Sequence, residues 1–350
     1  MRRRCRPPSP ASPLIPVSHR RRPKRKLQRS GARYVAVLAL AASCAALLVA
    51  VVAGGARESA TRLHDNARGA RAHPGGTAAA VAAPEPLSGG FAWAPSAERV
   101  VLRFRRPPRA ALLADLDRRE VLFARRALRP YPIASLTKIA SALVAVRLFA
   151  PARRLRVRAA ALRYSGSGMG VLRAGMRVRA ETLLAGMLVV SGNDAALALA
   201  HAAGGNRRFV AAMNALARSL RLRCTHFRDP HGLSAGDRSC AADLAVLARA
   251  AIAEPRIRRI VARRAAAYPF PIRGGRLWLV SHNPLLRSGY PGTIGLKTGY
   301  TEAAGRCFVA VVHRRGRTYA AVVLGSPNPA AHARALIEAA ERKVSAARAG

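Results

Sequence analysis

The chain has 350 residues, a formal net charge of +45 and an aromatic content of 5%. This length accommodates one or two domains with a substantial buried core. So large a charge would favour nucleic acid as the partner. However, the excess is spread along the chain and few aromatic side chains accompany it, which leaves an acidic wall polymer or lipid headgroups as the polyanionic alternative.

Residues 1–55 predict export of the rest of the chain. Residues 1–33 are a basic tail with 12 Lys or Arg and no acidic residue, and residues 34–55 are almost entirely apolar and uncharged. About 20 such residues can cross a bilayer as a helix, and the upstream charge keeps the tail cytoplasmic. We expect an uncleaved single-pass anchor that places the rest on the extracytoplasmic face of a bacterial membrane; a cleaved signal and secretion is the alternative. Export would exclude nucleic acid.

Residues 56–94 are rich in Ala, Gly and Pro and predict a flexible linker, followed by one domain at 95–347. Within that domain, two apolar runs flanking DRRE at 109–124 predict a hairpin. Apolar periodicity predicts helices at 135–149, 181–190, 194–203, 207–220, 241–253 and 330–347. Residues 307–313 and 318–324 predict paired strands. Strands at both ends and helices between them indicate an α+β domain.

Lysine is rare in this chain. Of the 61 Lys and Arg residues only five are lysines, and two of them, Lys138 and Lys297, lie inside the predicted domain away from its ends. Arginine cannot lose its proton in a protein, whereas a lysine can when its surroundings lower its pKa. Both positions therefore indicate chemistry that arginine cannot perform.

Three short motifs explain these lysines. Ser135 and Lys138 are three residues apart and share one face of the predicted helix, so a neutral Lys138 could take the serine proton. Ser191-Gly192-Asn193 interrupts two helices, and Lys297-Thr298-Gly299 precedes the last strand pair. The ordered set S-x-x-K, S-x-N and K-T-G is typical of class A β-lactamases and penicillin-binding proteins. An N-cap serine with a surface lysine would explain the first motif only.

From about Arg109 to Leu336 the sequence resembles the serine-type D-alanyl-D-alanine carboxypeptidases, the low-molecular-weight penicillin-binding proteins of peptidase family S11. The resemblance includes PIASLTKIASALVA, MLVVSGNDAALALA and HNPLLRSGYPGTIGLKTGYT. It implies the β-lactamase/DD-peptidase-like transpeptidase fold, with an antiparallel sheet flanked by helices and an all-helical subdomain. It also implies peptidoglycan stem peptides ending in D-Ala-D-Ala as substrate, β-lactam antibiotics as ligands, and no metal or cofactor.

The resemblance also implies residue roles. Ser135 would be the acylated nucleophile, Lys138 its base and Ser191 a proton relay to the leaving amine. Asn193 would bind the substrate amide and fix Lys138. The remaining substrate-binding residues would be Lys297, which would also hold the Ser191 hydroxyl, with Thr298, Gly299 and Tyr300. Backbone N–H groups of Ser135 and Tyr300 would form the oxyanion hole.

Other functions stay open. A β-lactamase would share the motifs, but class A enzymes use an added glutamate for deacylation and no matching pattern is present here. A transpeptidase shares the acylation step, and a non-catalytic peptidoglycan-binding module could share the fold. Cys224, His226, His231 and Cys240 match no zinc spacing. A Cys224–Cys240 disulfide is a hypothesis that rests on export and closeness in sequence.

Overall fold

The computed structural model describes residues 88–349. The predicted basic tail and membrane span lie outside the described residues. Among residues 88–349, no helix is both long and apolar enough to cross a bilayer. Ordered structure begins before the predicted boundary at residue 95, because Phe91 and Ala94 are buried in the core.

The chain builds one large sheet and several small strand pairs. The strands are β1 Ala92–Trp93, β2 Ala110–Asp115, β3 Glu120–Arg125, β4 Tyr131–Pro132, β5 Arg154–Arg156, β6 Arg177–Arg179, β7 Arg238–Ser239, β8 Ala265–Pro269, β9 Arg276–Val280, β10 Thr293–Thr301, β11 Gly305–Arg314 and β12 Arg317–Leu324. Six of them form the large sheet, in the order β1-β3-β2-β12-β11-β10. All neighbours in it are antiparallel except β1 and β3.

Residues 88–349 contain eight α-helices, which flank the sheet. They are α1 Lys138–Leu148, α2 Ala180–Val189, α3 Asn193–Ala202, α4 Asn206–Ser219, α5 Ala241–Ala253, α6 Pro255–Val261, α7 Pro284–Arg287 and α8 Pro329–Ala349. Short 3-10 turns occur at Ser88–Gly90, Ser96–Glu98, Ala134–Thr137 and Ala159–Leu162. The predicted helices are all present within one or two residues, except that Ser135 lies in the 3-10 turn that leads into α1.

The sheet separates two apolar cores. Strand β2 is buried along its whole length, and its side chains alternate between the two faces as strand geometry requires. Leu112 packs with the core beneath α1 to α6, whereas Leu113 packs with the core beneath α8. The α+β class, with an antiparallel sheet flanked by helices, is confirmed, and the helices between β3 and β8 form the larger helical part.

The turn between β2 and β3 is stabilised by one side chain. Asp115 ends β2, and its Oδ1 accepts from the backbone N–H groups of Asp117 and Arg118, which closes the predicted hairpin.

Cys224 and Cys240 form the disulfide that the sequence suggested. Cys240 immediately precedes α5, so the bridge ties the start of that helix to the preceding loop.

Candidate active site

The first motif places a serine against a buried amine. Ser135 lies in the 3-10 turn and Lys138 is the first residue of α1. Lys138 Nζ lies 2.8 Å from Ser135 Oγ, and the lysine side chain is fully buried. The three-residue spacing therefore produces a direct contact between the two side chains that the sequence paired.

The second motif reaches the same amine from the start of α3. Lys138 Nζ donates to Asn193 Oδ1 at 2.7 Å, while Asn193 Nδ2 donates to the carbonyl oxygen of Ser165 at 2.7 Å. Ser191 has a left-handed backbone conformation with φ 62°, which ends α2 and turns the chain into α3. Ser191 lines the same groove as Ser135.

The third motif lies in β10, which has a sheet neighbour on one side only among the described residues. Thr298, Gly299 and Tyr300 line a groove of about 560 Å³ together with Ser135 and Ser191. Lys297 is 2% exposed, and its Nζ donates to the carbonyl oxygen of Thr298 at 2.8 Å. Its contact with the Ser191 hydroxyl stays a prediction.

Close backbone packing fixes the serine turn between two glycines. A Cβ at Gly299 would lie 3.1 Å from both the Ile133 oxygen and the Ser135 nitrogen. Gly232 has φ 88°, and a Cβ there would overlap the carbonyl oxygen of Ala134. Gly232 therefore requires glycine, and Gly299 allows close packing, because the turn that carries Ser135 is held between β10 and the 229–234 loop.

The electrostatics favour a neutral Lys138. Burial lowers the pKa of this lysine well below 10.5, and the neighbouring Lys297 cation lowers it further. Asp229, Asp237 and Asp194 oppose this by attraction. Burial also lowers the pKa of Lys297 to about 7. Desolvation and a nearby cation are the two effects by which an amine becomes a base near neutral pH.

Sequence reasoning missed the loop at 229–237. The carbonyl oxygen of His231 accepts from Lys138 Nζ at 2.7 Å. Asp229 forms this loop, because its carboxylate accepts from the backbone N–H groups of His231, Gly232 and Ser234. Burial and the charge of Asp229 raise the pKa of Asp237 to about 7.

Four other residues have positions that the motifs did not predict. His282 and Arg306 line the groove. The Asn283 side chain accepts from the backbone N–H of Leu285 and caps α7, so its role is structural. Asp194 accepts from the backbone N–H groups of Met169 and Gly170 and shapes the loop that faces the groove.

The fold and this site have close relatives. Residues 106–328 match the D-alanyl-D-alanine carboxypeptidase family. The chain is 40% identical over 214 residues to D-alanyl-D-alanine carboxypeptidase DacB2 of Mycobacterium tuberculosis, which covers 60% of this chain and 72% of the relative. It is 40% identical over 169 residues to DacD of Escherichia coli, covering 47% of this chain and 41% of that protein.

Two solved structures have a similar fold. The crystal structure of a D-alanyl-D-alanine carboxypeptidase from Mycobacterium tuberculosis aligns with a TM-score of 0.64 and 35% identity, covering 71% of this chain and 94% of that one. The Streptomyces K15 DD-transpeptidase aligns with a TM-score of 0.65 and 26% identity, covering 69% of this chain and 100% of that one.

Proposed function

The chain belongs to the D-alanyl-D-alanine carboxypeptidase family, and we propose that it removes the terminal D-Ala from peptidoglycan stem peptides through an acyl-enzyme on Ser135. It is a serine-type hydrolase. The observation that supports Ser135 as nucleophile most directly is its 2.8 Å contact with the buried amine of Lys138.

The hydrogen-bond partners of Lys138 support its role as the base. A neutral amine has two N–H donors and one lone pair. The Asn193 side-chain oxygen and the His231 carbonyl oxygen can only accept, so they take the two hydrogens. The lone pair is then left for the hydroxyl of Ser135. A protonated Lys138 would donate to all three oxygens and could not accept the serine proton.

The proposed reaction follows from this arrangement. The Ser135 proton moves to Lys138 while Oγ attacks the carbonyl carbon of the penultimate D-Ala. The C–N bond then breaks, and the proton passes through Ser191 to the leaving amine, which departs as D-Ala. Water then hydrolyses the ester and restores the serine hydroxyl. Backbone N–H groups of Ser135 and Tyr300 would hold the oxyanion, a contribution typically worth about 2.7–4 kcal/mol per donor.

The groove supports recognition of an extended peptide that ends in a carboxylate. The free side of β10 can pair with an extended substrate backbone, as edge strands commonly do. Thr298 and Lys297 would receive the terminal carboxylate, and Asn193 would bind the substrate amide. Arg306 supplies a cation in the groove lining. A β-lactam would occupy the same place and acylate Ser135.

For location, we propose the extracytoplasmic face of the cell membrane, with residues 34–55 as the anchor. The one-sided positive charge before this apolar segment supports the orientation. A disulfide between Cys224 and Cys240 is also the covalent chemistry of an exported protein.

The test is the intact mass of the full chain after incubation with benzylpenicillin. We expect a one-to-one adduct on the parent and none on Ser135→Ala. The matched control is Ser167→Ala, which removes another hydroxyl from the same groove and should keep the adduct. An adduct that persists in Ser135→Ala would refute the assignment of the nucleophile.

The structural likeness to a DD-transpeptidase makes one further measurement necessary. A D-Ala-D-Ala peptide should be incubated with and without a glycyl amine acceptor and the products separated. We expect the shortened acid to dominate in both conditions. Dominant formation of the amide product with the acceptor would identify a transpeptidase. Rapid release of penicilloic acid from benzylpenicillin would identify a β-lactamase.

A further inference from the structure

The hairpin of β8 and β9 has an unusual outer face. Its inner face, with Ala266, Tyr268 and Leu279, is buried in the core. The register pairs place six residues on the opposite side, which we call the hairpin face: Ala265, Ala267, Pro269, Arg276, Trp278 and Val280. The outer side of an antiparallel strand pair is normally polar, yet five of these six residues are apolar.

The exposure is large and local. Trp278 is 71% exposed and Val280 is 56% exposed, and Ile272 in the connecting turn is 42% exposed. Eight large apolar side chains are exposed in the described part of the chain. Three of them lie on this one hairpin and the others are scattered. Single exposed apolar residues need no explanation, but a contiguous cluster indicates a binding surface.

Basic residues dominate the charge around the hairpin face, and the nearby carboxylate of Glu181, which acts on Tyr268, is paired with Arg256. No Asp or Glu occurs from Pro255 to Thr301. Exposed arginines border the face at both ends, with Arg263 and Arg264 before β8 and Arg273 and Arg276 at the turn. An apolar centre with an indole ring and a rim of arginines matches a lipid interface, where tryptophan lies at headgroup depth and arginine contacts anionic headgroups.

We propose that the hairpin face docks on an anionic phospholipid surface. The length of chain before the domain is compatible with this, since 32 residues separate the end of the predicted span from Ser88. A coil of that length reaches roughly 30 Å, so a chain anchored through residues 34–55 keeps the domain within reach of the bilayer. The docking surface itself does not depend on the proposed reaction.

Docking would also place the groove beside the membrane. Val280 is two residues before His282, which lines the groove with Ser135. Successive residues of a strand are about 3.3 Å apart, so the bound lipid surface would lie close to the groove entrance. Substrates attached to lipid would then be favoured over the same peptides in solution.

The chain itself supplies a specific probe, because it contains two tryptophans. In full-length Trp93→Phe, Trp278 is the single reporter, and benzylpenicillin labelling verifies that the variant is folded. Its fluorescence is compared in detergent, in nanodiscs of phosphatidylcholine and in nanodiscs that also contain phosphatidylglycerol. We expect a blue shift, several-fold weaker quenching by acrylamide and quenching by brominated lipid, all specific to the anionic nanodiscs.

Matched variants test the arginine rim. Replacing Arg263, Arg264, Arg273 and Arg276 with Gln should abolish the shift. Replacing the four exposed arginines Arg103, Arg105, Arg106 and Arg119 with Gln changes the net charge equally and should preserve it.

Several outcomes would overturn the proposal. Unchanged emission in every lipid would show that the hairpin face stays in water, and an equal shift in neutral nanodiscs would show that the arginines contribute nothing. A blue shift in detergent that grows with protein concentration would identify a second copy as the occupant. A shift caused by soluble peptidoglycan fragments would identify a glycan instead.

Discussion

The Asp237→Asn variant should change how stability depends on pH. Asp237 is fully buried, and its Oδ1 accepts from the backbone N–H groups of Arg228 and Asp229. Burial and the negative charge of Asp229 raise its pKa from 3.8 to about 7. Asp229 stays ionised because, although burial opposes it, His231 and backbone N–H groups lower its pKa. The two carboxyl groups therefore hold one proton between them near neutral pH.

The direction of this pH dependence follows from the pH at which the folded and the unfolded chain each lose the Asp237 proton. Below pH 3.8 both the folded and the unfolded chain carry it, and Asp237 adds no pH dependence to the free energy of unfolding. Between pH 3.8 and 7 the unfolded chain ionises while the folded chain keeps the proton, so stability falls as pH rises. The loss is complete above about pH 7 and amounts to roughly 4 kcal/mol, at about 1.4 kcal/mol per pH unit.

Asparagine imitates the protonated carboxyl group. Its oxygen can accept from the same two backbone N–H groups, and its amide can donate to Asp229. At each pH, the change in the free energy of unfolding is the value for Asp237→Asn minus the value for the parent. We expect this change to be roughly 2–4 kcal/mol more stabilising at pH 8 than at pH 4. The measurement is urea unfolding of the full chain in detergent at both pH values. The exposed Asp117→Asn variant is the control and should keep the parental pH dependence. If the Asp237→Asn difference is the same at both pH values, the pair does not share a proton.

Three further predictions concern the site and the bridge. Lys138→Arg replaces the neutral amine with a permanent cation that cannot act as a base, so benzylpenicillin acylation should slow by about 10²- to 10⁴-fold, measured by adduct formation over time; parental rates would exclude Lys138 as the base. Gly232→Ala should displace the Ala134 carbonyl and slow acylation at least about tenfold. An unchanged acylation rate would show that the turn tolerates a Cβ at this position. Replacing Cys224 and Cys240 with serine opens a loop with a sequence separation of 16 and should cost about 3 kcal/mol in urea unfolding; equal stability with and without the bridge would contradict this.

Much of the fold follows from local sequence patterns. Apolar periodicity located the helices α1 to α5 and α8, and the DRRE turn located the β2–β3 hairpin, because these signals lie within one element. The 3-10 turn at Ala134–Thr137 was read as the start of a helix, since S-x-x-K fits the spacing of both geometries. The hairpin of β8 and β9 was missed because both of its faces are apolar and it lacks the alternation that marks a strand.

The site was predicted by its residue types and not by its geometry. Rare lysines and three ordered motifs identified Ser135, Lys138 and Lys297, but spacing along the chain does not say that β10 is an edge strand beside the serine turn. The His231 carbonyl is a backbone group, and a backbone acceptor has no residue signature. Its position depends on the Asp229 loop, which only the folded chain brings against Lys138.

The charge balance at Lys138 shows why the surrounding carboxylates matter for the reaction. Burial and Lys297 favour the neutral amine, while Asp229, Asp237 and Asp194 favour the cation. Burial and Lys297 outweigh this attraction, because the pKa of Lys138 still lies well below 10.5. A proton on Asp237 removes one of those charges without removing the hydrogen bonds that hold the loop. The pair can thus keep the His231 carbonyl in place while limiting the negative charge that acts on the amine.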